Sequence, residues 1–351
     1  MTVTEHSPGA APTAGPALPQ PRGPLSAAVL DALRGGGEPV ASDAVPDDVY
    51  GEDAQLALYC LYELHYRGFA GVDPEREWDP ALLAVRRDLE RAFLAQLRRD
   101  VGVDDVREAD DVRAAVDAEM AALMVEPTDA DGTGVSHHLL REGEPWQFRE
   151  YLAHRSIYHL KEADPQAWVI PRLHGPAKAA LVTVEHDEYG SGDPERVHAR
   201  LFAAMMHAVG LDDGYGAYLD LAPAETLAEV TLMSMFGLHR ALRGALVGQF
   251  ATVELTSSPG SDRLVKAIAR MGFDAEVGEF YAEHVEADAV HEQLVRRGVI
   301  RPLLAAEPEL AADVVFGVRA SSFLAERLER RVLGAWGERA TSLRRPLPPP
   351  D

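Results

Sequence analysis

His284-Val285-Glu286-Ala287-Asp288-Ala289-Val290-His291 places two imidazoles and a carboxylate at i, i+4 and i+7. Neither Gly nor Pro interrupts the chain from Glu279 to Arg297, so the stretch reads as helix. At about 3.6 residues per turn, the three side chains leave one helix face within a narrow arc. Nitrogen, oxygen and nitrogen donors aimed at one point suit a transition metal. The trio alone fits a solvated polar face equally well. What decides between the two is whether other donors in the chain can join it.

Working outward, the composition favours helices. Hydrophobic residues make up 46% of the 351 and aromatics 7%, which suits close-packed helices better than a β-rich core. A formal charge of −23 argues against nucleic acid or an anionic membrane as partner, because both need a cationic surface. The single cysteine, Cys60, excludes an intramolecular disulfide and a thiolate zinc site and fits a reducing compartment. No basic start followed by an apolar run is present, and no apolar run is long enough to span a bilayer. The expectation is a cytoplasmic protein with no membrane segment.

Four regions are expected. Residues 1–24, dominated by Pro, Ala, Gly, Thr and Ser, read as a disordered tail, and 341–351 as a flexible one. Residues 25–130 form an N-terminal helical region. Beyond the Asp-, Gly- and Thr-rich stretch Thr128 to Gly134, residues 131–340 form the domain that holds every strong donor. Helices are expected over 25–34, 49–68, 79–101, 106–124, 144–162, 165–188, 194–209, 223–256, 262–271, 275–297 and 308–338. Pro171 and Pro176 should interrupt the run after Glu162. No strand pattern and no internal repeat is evident.

The further donors are carboxylates and one histidine on these helices. Glu162 ends one helical run. Val184-Glu185-His186-Asp187-Glu188-Tyr189-Gly190 ends another, and its four polar neighbours cannot all be ligands because they point around the helix. His198 follows the break Gly190-Ser191-Gly192-Asp193-Pro194, and Glu254 lies before Thr256-Ser257-Ser258-Pro259-Gly260. Each has an ordinary structural reading as a helix-end acid or a packed histidine. Together, Glu162, one carboxylate of Glu185, Asp187 and Glu188, and then His198, Glu254, His284, Asp288 and His291 supply four carboxylates and three imidazoles, enough for two metal ions in a helical bundle. The remaining histidines, His65, His154, His159, His174, His207 and His239, read as packing or surface residues. Phe280, Tyr281, Trp168 and Met205 are candidates for an apolar pocket around the metals. A nucleophile elbow, a P-loop and a dinucleotide fingerprint are all missing.

The order and spacing of that series resemble the heme-oxygenase-like di-iron oxidases, also described as iron-containing redox enzymes. Glu162-Ala163-Asp164-Pro165, Pro171-Arg172-Leu173, Asp187-Glu188-Tyr189-Gly190 and the 284/288/291 trio carry the likeness, with Leu64-His65-Tyr66-Arg67-Gly68-Phe69 in the N-terminal region. The resemblance spans roughly residues 50–335. It implies an all-α, seven-helix heme-oxygenase-like bundle without heme, preceded by a helical accessory region through which such proteins often form homodimers. It implies two iron ions, with dioxygen as co-substrate. One ion would be held by Glu162, His198 and His291, the other by Glu188, His284 and Asp288, with Glu254 a mobile, catalytic carboxylate that either bridges them or joins after oxygen binds. The function implied is that of a monooxygenase using an external electron donor, N-oxygenating a small-molecule amine or amino-acid derivative in secondary metabolism. Desaturation, decarboxylation or C–C cleavage of a fatty or amino acid is the alternative chemistry. A non-catalytic helical binding protein is the alternative of another class.

Overall fold

The computed structural model describes residues 15–36, 45–107, 109 and 111–348. Of the two expected tails, residues 1–14 and 349–351 lie outside these. No strand occurs among the described residues, and no helix among them is long and apolar enough to cross a membrane. The N-terminal region contributes α1 (Pro24–Leu33), α2 (Glu52–Glu63), α3 (Pro80–Val101) and α4 (Val112–Leu123). Then come α5 (Val135–Arg141), α6 (Pro145–His159), α7 (Gly175–Glu188), α8 (His198–Ala208) and α9 (Ala224–Leu238). The chain closes with α10 (Arg243–Arg270), α11 (Glu279–Gln293), α12 (Arg301–Ala306) and α13 (Ala311–Gly337).

Local chemistry sets several boundaries where the sequence places them. Pro80 stands at the start of α3 behind Asp79, whose carboxylate accepts the Ala81 N–H at 2.8 Å, and Gly102 ends the helix at φ 59°. Asp111 caps α4 in the same way. Pro171 falls in a 3-10 turn (Ile170–Arg172), and α7 restarts with Pro176 in its first turn, as the proline pair requires.

Other boundaries differ. The expected helix 223–256 is two helices, with His239 extended between them. Gly237 lies against the Pro165 carbonyl, and Arg172 donates to the carbonyls of Gly237 and Leu238, giving α9 a C-terminus that local pattern does not show. Conversely, α10 runs straight through Pro259, where a stop is expected. Proline costs such a helix about 3 kcal/mol. Here α10 packs along both α11 and α13, and Ser257 and Ser258 hydrogen-bond to α11, so burial outweighs the lost bond. Helix α5 is unanticipated; it buries Val135, His137 and Leu139 against α10.

Residues 15–24 and 341–348, expected within the tails, are held by specific contacts. Within 15–24, Pro16 accepts the Ala70 N–H at 2.9 Å, and Arg22 ion-pairs with Glu52 at 2.7 Å. Near the other end, Ser342 is buried on Glu150 and Arg344 donates its N–H to Leu221. Extended chain can be tied down by its backbone without an amphipathic face, so composition alone misses it.

Helix α2 is buried along Ala54–Glu63 and packs against α9, α1 and α3, so the N-terminal helices share their core with the donor-bearing bundle. The central crossing pairs α10 with α13. A β-carbon on Gly248 would collide with the Val314 carbonyl, and one on Gly317 with that of Ala245. Both positions therefore have to be glycine for the helices to approach this closely.

Candidate metal centre

Five elements deliver the seven expected donors. Glu162 sits in the turn after α6, Glu188 ends α7, His198 opens α8, Glu254 lies mid-way in α10, and His284, Asp288 and His291 share a face of α11. The turn with Glu162 is made by Ala163 at φ 71°, a left-handed conformation that costs alanine energy and reverses the chain just past the carboxylate. All seven residues are buried, none more than 8% exposed, which is incompatible with a solvated polar face.

Their ligand atoms form two groups. Glu162, Glu188, His198 and His284 bring one donor atom each within 4.8 Å of one another, as do Glu188, Glu254, Asp288 and His291. Glu188 belongs to both. This grouping differs from the expected one: His284 joins Glu162 and His198, His291 joins Asp288 and Glu254, and the shared carboxylate is Glu188 instead of Glu254. The reason is axial. Residues seven apart on a helix are separated by about 10 Å along it, so His284 and His291 serve different levels, with Asp288 one turn from each.

The donors fit metal ions better than they fit each other. Glu162 Oε2 and His198 Nδ1 are buried without any hydrogen-bond partner. His198 Nδ1 and Glu188 Oε2 stand 2.8 Å apart, yet not in hydrogen-bond geometry. Ligands across an ion are typically about 4 Å apart and those beside each other closer, so the observed separations leave room for one ion per group. Two dications would also neutralise the four buried carboxylates.

In the absence of metal, protons would carry that charge. Burial opposes ionisation of His284, but Glu162, Glu188 and Asp288 outweigh it and lift the ring to about 10. His291 is likewise lifted against its burial, by Asp288, Glu254 and Glu188, to about 11. Burial, with Asp288 and Glu188 beside it, raises Glu254 to about 8. Burial pushes Glu162 the same way, but His159 and His284 hold it well below the usual carboxylate range.

Supporting contacts orient the donors. His284 Nδ1–H donates to the Phe280 carbonyl at 2.7 Å, which turns Nε2 toward Glu162, 3.8 Å away. His291 presents Nδ1 to Glu254 at 3.1 Å and Nε2 to Asp187 at 3.2 Å. Ser257 donates to Asp288 at 2.5 Å. His159 Nδ1–H donates to Glu162 at 2.6 Å; burial pulls this imidazole down to about 4, so it is neutral. Sequence reading left His159 among the packing residues, although its position three before Glu162 was the available signal. Of the acidic cluster, His186 is exposed, Asp187 holds His291, and Glu185 is buried with neither oxygen bonded. Burial, and then Glu188 and Glu254, push Glu185 to about 9.

A cavity of about 560 Å³ lies beside the donors, and Glu162, Glu188, Glu254, His284 and Asp288 form part of its wall. Phe280 and Tyr281 line it as expected, whereas Trp168 and Met205 do not.

Residues 149–326 match the iron-containing redox enzyme family, just over half of the chain and every donor named above. The chain belongs to that family, and its all-α architecture is the heme-oxygenase-like fold. It is also similar to a nitrosourea synthase from Streptomyces achromogenes subsp. streptozoticus, at 24% identity over 179 residues, 51% of this chain and 38% of that protein. The match thus spans little more than a third of the relative's length.

Proposed function

We propose that the protein is a non-heme di-iron, dioxygen-dependent oxygenase that N-oxygenates a small amine or amino-acid-derived substrate, taking electrons from an external donor. One observation carries the reading: two buried four-donor groups that share Glu188 and face one cavity. Family membership supports iron and redox chemistry, and likeness to a nitrosourea synthase favours chemistry at nitrogen.

Iron, when bound, would supply the dioxygen activation that amino-acid side chains cannot. The chain's own residues do the rest. Glu162, His198 and His284 would hold one ion and Asp288, His291 and Glu254 the other, with Glu188 between them. Phe280 lines the cavity and is backed edge to face by Phe202, ring centroids 5.1 Å apart, which helps keep water from that side. Glu254, whose carboxyl burial raises to about 8, is the one we assign to accept or release a proton at Oε2 and to change position during turnover.

The test is anaerobic ferrous titration of the wild type, His284→Ala and Asp288→Ala. The wild type should take up about two equivalents, and each variant should lose at least one. Equal uptake by all three would remove the assignment, and no uptake by the wild type would favour a binding protein. Intact-mass analysis of products from candidate amines then separates gain of oxygen from the loss of hydrogen or carbon that marks desaturation or cleavage.

A further inference from the structure

Arg155 and His159 stand one turn apart on α6, and Glu162 follows three residues later. Arg155 Nε–H donates to His159 Nε2 at 3.3 Å, and His159 Nδ1 meets Glu162 Oε1 at 2.6 Å. The guanidinium is itself anchored from α9, where Glu229 Oε2 accepts Nη1–H at 3.2 Å. Three contacts thus run in series from α9 through α6 to the turn that carries Glu162.

Chemistry sets the direction of this series. A guanidinium has donors and no acceptor, so His159 Nε2 must offer its lone pair. A ring that accepts at Nε2 is neutral and carries its proton at Nδ1, on the side of the carboxylate. The other tautomer would set two donors against each other at Arg155 and two acceptors against each other at Glu162. An imidazolium fails at the Arg155 end for the same reason. Packing keeps the ring in place: Phe202 and Phe280 lie against it, with ring centroids 4.8 and 5.2 Å away. Both ring nitrogens are engaged by protein, which leaves His159 none for an ion although it lies beside Glu162. The carboxylate in turn has Oε1 on the imidazole, while Oε2 stays buried without a partner.

We infer that Arg155 is a positioning residue: it holds His159 in the Nδ1–H tautomer, and through that ring it fixes the orientation in which Glu162 meets a metal ion. Glu229 serves the same end by holding the guanidinium. No covalent bond is made or broken in this arrangement. Its consequence for the ions rests on the metal-binding reading above, whereas the tautomer needs no ion.

Long-range proton–nitrogen NMR of the full metal-free chain, labelled at the histidine nitrogens, reads the tautomer, with His159 assigned by its loss in His159→Asn. The wild type should carry a proton on Nδ1 alone. Arg155→Met/Glu229→Gln, which removes both members of the ion pair, should shift the ring to the Nε2–H form or to a mixture. An Nε2–H ring in the wild type would overturn the inference, and so would a tautomer that the double change leaves untouched. Anaerobic ferrous titration gives a second reading. The double variant should bind one of its two equivalents about 10–100-fold more weakly, and Arg155→Lys, which keeps a donor, should recover most of the loss. In His159→Asn, whose amide N–H replaces Nδ1–H and has no tautomer to choose, the same double change should cost nothing further. A loss that persists there would mean that Arg155 acts by another route, and the inference would fall. The wild-type tautomer remains a test even if the double change unfolds the chain. The expected tautomer without ferrous uptake would sink the oxygenase reading alone; two equivalents bound with the other tautomer would sink this inference alone.

Discussion

At the scale of single residues, the donor set is a store of protons awaiting exchange. With Glu254 near 8, His284 near 10 and His291 near 11, all three are protonated at pH 7 in the metal-free chain. Metal binding needs each of them deprotonated. Filling both groups at pH 7 should therefore release up to three protons, and fewer above pH 8, where Glu254 has already lost its own. Affinity must rise with pH by the same linkage, because protons compete for the nitrogens and oxygens that ions would occupy. A pH indicator in weak buffer during zinc or ferrous titration reads the release. Tighter binding at pH 5.5 than at pH 7.5 would show that these groups are not the ligands. The spacing of His284, Asp288 and His291 is visible in the sequence because the helix repeat dictates it. The partition of the two histidines between groups is not visible, since it depends on which helix ends meet α11 at each level.

At the scale of elements, the turn bearing Glu162 is clamped from the N-terminal region. Lys161 Nζ bonds Glu63 of α2 at 2.7 Å with both side chains essentially inaccessible, and the ammonium lies 4.2 Å from the centre of the Tyr66 ring. Tyr215 donates to the same carboxylate at 2.7 Å, and Arg67 donates to the Leu160 carbonyl at 3.0 Å. Removing one member of a buried pair leaves the other uncompensated. Lys161→Met should thus cost about 3–5 kcal/mol in urea unfolding, and Glu63→Gln/Lys161→Met markedly less. A second element-scale expectation concerns the α10–α13 crossing. Gly248→Ala forces a methyl group into the Val314 carbonyl and should cost about 1–3 kcal/mol by the same measurement, although alanine is the better helix former. Neither contact can be read from local pattern: Glu63 and Lys161 are far apart in the chain, and Gly248 looks like an ordinary weak point in a helix.

At the scale of the whole molecule, five elements converge on one buried, strongly acidic centre, and folding must bring its carboxylates together. Ions that bind only this assembled state stabilise it by mass action, by about 2.7 kcal/mol at a free concentration a hundred times the Kd. The thermal midpoint should rise on anaerobic ferrous addition and fall back with chelator. An unchanged midpoint under saturating ferrous ion would mean that the carboxylates are held together by protons alone. The N-terminal helices belong to this scale too, since α2 shares its core with α9 and reaches Glu162 through Lys161.

What the amino-acid sequence determined without help was periodicity and chemistry. Helix after helix follows from apolar spacing and from caps such as Asp79-Pro80, and the trio His284, Asp288 and His291 follows from residue type at helical intervals. Tertiary packing decided which donors face each other, that α10 continues through Pro259, that α9 stops at His239, and that His159 and Asp187 brace ligands. The division has a physical cause. Backbone geometry acts over three or four residues and is written in local order, whereas burial and charge pairing act between segments tens to hundreds of residues apart, where local order is silent.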